Sequence, residues 1–149
     1  MYLTGTYKMS MDAKARLTLP AAHRKELGKT VCLAPIDGRV CGFTPQGYEE
    51  YVNGLFEYGD RHFDPRSRDD VRLKGYLTSL AETVDIDSAG RVALGKLDAA
   101  HSGRLESLGL SGDVTVVGSG DHFEIWNSEK WAAEQKAVEE DLASLLYHD

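Results

Sequence analysis

Apolar and polar positions alternate along this chain in short bursts separated by turn residues, and elsewhere recur at helical spacing. The bursts predict strands and the longer stretches helices. Residues 31–34 and 39–43 flank Ile36-Asp37-Gly38, and 114–117 and 122–126 flank Gly118-Ser119-Gly120-Asp121, so both pairs read as β-hairpins. Pro20 at a first helical position and Gly28 past the end predict a small helix between them. Asp98 is expected to cap a helix running to Leu108, with Gly109 as the stop. Thr44-Pro45 opens a helix with Tyr48, Tyr51, Val52 and Leu55 on one face, and the Tyr48/Tyr51 stripe reads first as core or subunit interface. After a loop over 59–65, Ser67-Arg68-Asp69-Asp70 has the form of a capping box and starts a helix through Leu80. Ser128 is expected to cap a last helix carrying Trp131, Val138, Leu142, Leu145 and Leu146 mostly on one side, packed within the protomer or a ring.

The pattern occurs twice. Met11-Asp12-Ala13-Lys14-Ala15-Arg16-Leu17-Thr18-Leu19 matches Ile86-Asp87-Ser88-Ala89-Gly90-Arg91-Val92-Ala93-Leu94 at an offset of 75. Val31-Cys32-Leu33 then matches Val114-Thr115-Val116 at an offset of 83, with Phe43 falling on Trp126 and Tyr48 on Trp131. The second copy therefore holds eight extra residues between its motif and its hairpin. Two blocks in the same order point to duplication. Boundaries follow at 6–47 for the first repeat, 48–80 for a helical linker, 81–128 for the second repeat and 129–149 for the C-terminal helix. About four short strands per copy are too few to close a core alone at ~45 residues. The copies are expected to interleave into one barrel-like unit.

Composition narrows the class. Of 149 residues, 42% are hydrophobic and 28% charged, as in a folded soluble domain. No run reaches the ~18 apolar residues of a membrane helix, and the first residues lack a signal peptide's apolar core, so a cytoplasmic protein without a membrane partner is expected. Cys32 and Cys41 are too few for a disulfide scaffold or a zinc finger and read as buried small hydrophobes. The net charge of -7 is unevenly spread: residues 1–41 carry seven basic and three acidic residues, and 76–149 carry five and fourteen. A polyanion could meet the N-terminal end and would be repelled by the other.

The candidate chemistry lies in the repeated Asp-x-x-x-Arg. Asp can accept amide hydrogens inside the turn, Gly90 supplies positive φ, and Arg projects from the sheet rim. In the first copy, Asp12 to Arg16, Lys14 adds a second cation. A purely structural turn with an internal Asp–Arg ion pair fits the same residues and is worth roughly 0–1 kcal/mol when exposed. An arginine fork on a guanine edge discriminates by ~1–3 kcal/mol.

These residues resemble the MraZ family, relatives of the AbrB and MazE transition-state-regulator and antitoxin folds. The carriers are Gly5, Asp12-x-Lys14-x-Arg16-Leu17-x-Leu19-Pro20-Ala21, Arg24, Asp87-x-x-Gly90-Arg91, Val114-x-Val116-Val117-Gly118 and Phe123-Glu124-Ile125-Trp126. The resemblance implies a mainly β fold with flanking helices (α+β), a double-split β-barrel formed by two tandem repeats. It also implies a ring-shaped homo-oligomer, nucleoid-associated, that binds short direct promoter repeats in double-stranded DNA and represses the division and cell-wall gene cluster. The first loop would read DNA, which assigns Arg16, Lys14 and Asp12, with Lys8 and Arg24 as phosphate contacts; Arg91 is a weaker candidate than Arg16, because Gly95-Lys96 stands where the first copy has Pro20-Ala21 and the second half is acidic. The family's loop glycine is Ala15 here, and at positive φ alanine costs on the order of 1–2 kcal/mol.

Other classes fare worse. His23, His62, His101, His122 and His148 are scattered outside any hydrolase or protease motif, so no enzyme and no cofactor is expected. The stretch from Asp85 looks like a calcium loop but has Ala89 and Lys96 at its fifth and twelfth positions. Gly118-Ser119-Gly120 precedes a strand, which suits a hairpin turn better than a phosphate loop. The competing class is an antitoxin-like interaction module, whose C-terminal segment would wrap a toxin.

Overall fold

The structure is a computed structural model that describes residues 1–148. Eight strands run in chain order: β1 Thr6–Ser10, β2 Arg16–Thr18, β3 Thr30–Ile36, β4 Arg39–Phe43, β5 Glu82–Asp85, β6 Arg91–Ala93, β7 Asp113–Gly118 and β8 Phe123–Asn127. The first four and last four interleave. A six-stranded antiparallel sheet has the order β1-β7-β8-β4-β3-β5, and a separate two-stranded ribbon pairs β2 with β6. Moving every strand four places along the chain turns this order into its own reverse and leaves all pairings intact. The large sheet does not close on itself: β1 and β5 are its two edges.

The main core lies between the inner face of the sheet and the ribbon. Val31, Leu33, Val40, Val114, Val116 and Ile125 supply the sheet side, and Leu17 and Val92 the ribbon side. Gly42 pairs with Phe123 across β4 and β8, and the Phe123 ring fills the space where a Cβ would sit, 2.1 Å from its Cζ. Strand β3 is buried on both faces. Its alternate residues Cys32 and Ala34 join Cys41 and Phe43 in a second core under α2 (Pro45–Gly54) and α3 (Arg68–Leu80). Thr44 caps α2 by accepting from the Gly47 amide, and the Tyr48 hydroxyl donates to the Leu77 carbonyl. Tyr48 is buried, as a core residue should be, whereas Leu55 at the end of α2 is exposed.

Several local expectations need correction. Asp98 does not start a helix to Leu108: α4 (Gly95–Ala100) already contains it, and its carboxylate caps the next helix, α5 (Arg104–Ser107), by accepting from the Leu105 amide. The break starts at His101, whose backbone is extended (φ -149°, ψ 103°), and runs to Gly103, which precedes α5 with a φ of 77°. The capping box at Ser67 is half formed. Ser67 accepts from the Asp70 amide, but the Asp70 carboxylate turns to Arg61 and the Asp64 amide. Asn127, not Ser128, caps α6 (Ser128–Glu140), while the Ser128 hydroxyl bonds Thr115 on β7. Helix α6 turns at Asp141 into α7 (Leu142–Leu146), and neither buries a residue within the chain. Of the two places expected to cover the apolar side, the protomer or a ring, the protomer does not supply it: Val138, Leu142, Leu145 and Leu146 are exposed, while Trp131 leans on Trp126.

Gly42→Ala should destabilise the fold by about 1–3 kcal/mol, the usual cost of forcing a methyl into a filled core. Urea unfolding of the purified variant checks this, and a Gly42→Ala protein as stable as the parent would contradict the packing.

Candidate nucleic-acid interface

The ribbon is three residue pairs long: Arg16 with Ala93, Leu17 with Val92 and Thr18 with Arg91. Side chains alternate along a strand. Leu17 and Val92 are both fully buried beneath the ribbon, so Arg16, Thr18, Arg91 and Ala93 share the outer face. Arg16 and Arg91 stand on a diagonal of the ladder, a separation of ~7–8 Å in such pairs.

Each arginine is held by the aspartate of its own loop. Asp12 Oδ1 accepts from the amides of Lys14 (3.0 Å) and Arg16 (2.8 Å), and Oδ2 accepts from Arg16 Nε at 2.7 Å. In the second loop Asp87 Oδ1 accepts from the amides of Ala89 (2.9 Å) and Arg91 (2.8 Å), and Oδ2 from Arg91 Nε at 2.8 Å. Among the described residues these bonds take Nε and leave the two Nη groups of each arginine without a partner. The side chains of Arg16 and Arg91 are 33% and 34% exposed, so the structure presents them equally. The internal Asp–Arg ion pair is formed in both loops. The arginine amide, then its guanidinium and the neighbouring amide, hold the carboxyls of Asp12 and Asp87 below the ordinary carboxylate range. Both loops therefore gain stability above that range and lose it as pH falls through the lowered values.

The loops also lock each other. The Ala15 carbonyl accepts from the Leu94 amide, and the Gly90 carbonyl accepts from the Leu19 amide, each at 2.9 Å. Ala15 and Gly90 occupy the same turn position with φ of 57° and 79°. Alanine thus stands in the left-handed region at the usual cost of such a residue. Gly90 has a second reason to be glycine: the Arg24 side chain lies across it, with Nη1 2.0 Å from where a Cβ would be.

Arg24, on α1 (Ala21–Arg24), is thereby brought to the second loop, although it lies 66 positions away in the chain. Lys14 is exposed at the tip of the first loop, where the second has Ala89. Lys8 is not part of this group. Its neighbours Tyr7 and Met9 face the main core, while Lys8 pairs with Thr115 and faces out on the far side of the sheet, where Ser128 begins α6. Sequence reasoning missed Thr18 and Ala93 as outer-face residues. The parity of Leu17 and Val92 was the signal for them.

A family model described as "MraZ protein, putative antitoxin-like" matches residues 2–68. The chain is also similar along nearly its whole length to proteins named transcriptional regulator MraZ. It is 33% identical over 143 residues to that of Corynebacterium diphtheriae, covering 94% of this chain and 91% of the relative. With the protein of Mycolicibacterium smegmatis the identity is 32% over 143 residues, covering 94% and 91%. With that of Corynebacterium jeikeium it is 30% over 139 residues, covering 93% and 90%. The chain belongs to the MraZ family. MraZ proteins are transcriptional regulators rather than enzymes, and matches of this extent take in both Asp-x-x-x-Arg loops. No helix of the described residues is long and apolar enough to cross a membrane.

Ala15→Gly should stabilise this MraZ chain by about 1 kcal/mol, less than the full left-handed penalty because glycine also loosens the unfolded chain. Gly90→Ala should destabilise by more than the ~1–2 kcal/mol of φ strain alone, since Arg24 must also move. Thermal melts of the two variants against the parent decide both.

Proposed function

We propose that this chain is a sequence-specific DNA-binding transcriptional regulator that uses the outer face of the β2–β6 ribbon. What supports this is the pair of carboxylate-held arginines on one face, each with its Nη groups without a partner among the described residues. The B-DNA major groove, about 12 Å wide, admits a two-stranded ribbon, and an arginine fork matches the O6 and N7 of guanine. Arg16 is assigned to base edges, Lys14 to an adjacent phosphate, and Asp12 and Asp87 to holding the loops. Arg91 is a second base or phosphate contact, and Arg24 a phosphate contact beside it. On this reading the eight strands form a double-split β-barrel from two copies of one unit, with a reading arginine from each.

One chain offers few cations, so tight binding needs several chains on successive direct repeats of a promoter, linked as a ring. The exposed apolar side of α6 and α7 is the contact we assign to the next copy. Repression follows when the assembled ring covers the promoter of its own gene cluster. A second reading, an antitoxin-like module, draws on that same open helix and on the wording of the family model. Co-purification of a small toxin through residues 128–148, in place of self-association, would decide for it.

The test is fluorescence anisotropy on the DNA upstream of its own gene. Arg16→Ala should weaken binding by about 1–3 kcal/mol and relax specificity. Lys14→Ala should weaken binding evenly across sequences and flatten the salt dependence, by ~0.9 in log–log slope for each phosphate left without its cation. Arg91→Ala should fall between the parent and Arg16→Ala, because its loop lacks the lysine. Unchanged binding by Arg16→Ala refutes the assignment.

Leu145→Asp tests the assembly. It should leave the fold intact, since Leu145 is 56% exposed, yet reduce the mass measured by light scattering and weaken DNA binding through reduced avidity. A variant with parental mass would move the contact elsewhere.

A further inference from the structure

On the face of the sheet turned away from the main core, a second cluster of reactive groups lies far from the arginine ribbon. Val40 and Ile125 pair inward across β4 and β8, so the next pair, Cys41 and Glu124, faces out. His122, just before β8, stacks its ring on Phe43 at 4.6 Å. One thiol sulfur, one imidazole nitrogen and one carboxylate oxygen from Cys41, His122 and Glu124 lie within 4.8 Å of one another. We propose that Cys41, His122 and Glu124 are a binding site for a thiophilic divalent metal ion, Zn2+ above all, on the seam between β4 and β8.

The donor set suits that ion. Zn2+ takes sulfur, imidazole and carboxylate ligands at about 2.0–2.3 Å, and three protein ligands leave a fourth place for water. Softer thiolate coordination disfavours Mg2+ and Ca2+. Ligand atoms around a zinc ion are ~3–4 Å apart at those bond lengths, so the cluster needs only small side-chain adjustments. Cys41 and Glu124 are buried, while His122 keeps 12% of its side chain exposed and marks the way in.

The surroundings are those that orient metal ligands. Asp121 Oδ1 lies 2.7 Å from His122 Nδ1, the carboxylate–histidine arrangement that fixes the ring and leaves Nε2 for an ion. Nε2 faces Glu124 Oε2 at 2.8 Å. The other Glu124 oxygen, Oε1, accepts from Trp126 Nε1 at 2.8 Å and is ion-paired to Arg39 Nε at 3.3 Å. Glu124 is thus held through Oε1 and offers Oε2. Arg39 also reaches Oε2 with Nη2, at 3.4 Å, the longest of these contacts and the one an ion must loosen. Both His122 nitrogens face carboxylate oxygens, so without metal the ring carries a proton on Nε2, where the ion would sit.

Binding then balances. Zn2+ forms bonds to Sγ, Nε2 and Oε2, and the thiol proton and the Nε2 proton leave to water. Two unit charges are exchanged for one double charge, and the cluster with Arg39 and Asp121 keeps its total charge. The ion would link a strand of the first repeat to a strand of the second.

The experiment is Co2+ titration of the full chain after chelator treatment, followed by Zn2+ competition. The expected result is a near-ultraviolet thiolate-to-cobalt charge-transfer band with visible d–d bands, both abolished by Zn2+. Cys41→Ser should lose the charge-transfer band and Cys32→Ser should keep it. Asp121→Asn, at an exposed position that does not threaten folding, should weaken Co2+ binding about 10–100-fold. No charge-transfer band at saturating Co2+, a band that survives Cys41→Ser, or Asp121→Asn affinity equal to the parent's would each overturn the site.

Discussion

Leu17 and Val92 oppose each other in the middle of the β2–β6 ribbon, and both are sealed from water. This contact closes the main core from above, since the six-stranded sheet alone has an uncovered apolar face. Neither half of the chain can make the contact by itself, because β2 lies in the first half and β6 in the second. Burial of that pair also fixes what the ribbon shows outside. A slip of one residue would turn the leucine and valine to solvent and the arginines into the core. Core formation and presentation of the cations are therefore one constraint, imposed by the alternation of a three-residue strand.

The aspartates turn that coarse orientation into a fixed geometry. One carboxylate spans two amides and the guanidinium of its loop, and the same three bonds appear in both loops to within a few tenths of an ångström. Such a network over-determines the turn, which is how Ala15 can stand at a φ of 57°. The second loop differs in its surroundings rather than its bonds: Arg24 fills the space over Gly90, so a methyl there would have to displace that side chain. Near-symmetry of the backbone coexists with a real asymmetry of charge, Lys14 at one tip and Ala89 at the other.

The loops were legible because their chemistry is local. Asp12, Arg16, Asp87 and Arg91 sit within five-residue windows, and the repeat at an offset of 75 singled them out. The hairpin at Asp37-Gly38 was legible for the same reason, and both residues have positive φ. What sequence could not supply was partnership at a distance. Lys8 looked like part of the basic N-terminal end, yet the pairing of β1 with β7 turns it to the far side of the sheet. Arg24 lies on Gly90 across 66 positions, and Cys41 meets Glu124 only because β4 pairs with β8. For the last helix the sequence left the protomer and a ring both open as its cover. Its apolar spacing is genuine, but spacing says that a face seeks cover and not whether its own chain provides it.

That open face bears on how a chain of net charge -7 could hold a polyanion at all. The acidic α6 starts on the outer side of β7 and β8, and the ribbon lies on the opposite side of the core. Repulsion from the helix is thus exerted from behind the core, where physiological salt screens exposed charges over ~8–10 Å. The cations at the ribbon act at contact and are not screened in that way. A single ribbon still offers too few phosphate contacts for tight binding. The remedy on the reading proposed here is to gather copies, and gathering them requires apolar surface kept clear of the DNA face. The exposed leucines of α7 follow the acidic helix. Assembly through them would leave every arginine pair free for DNA.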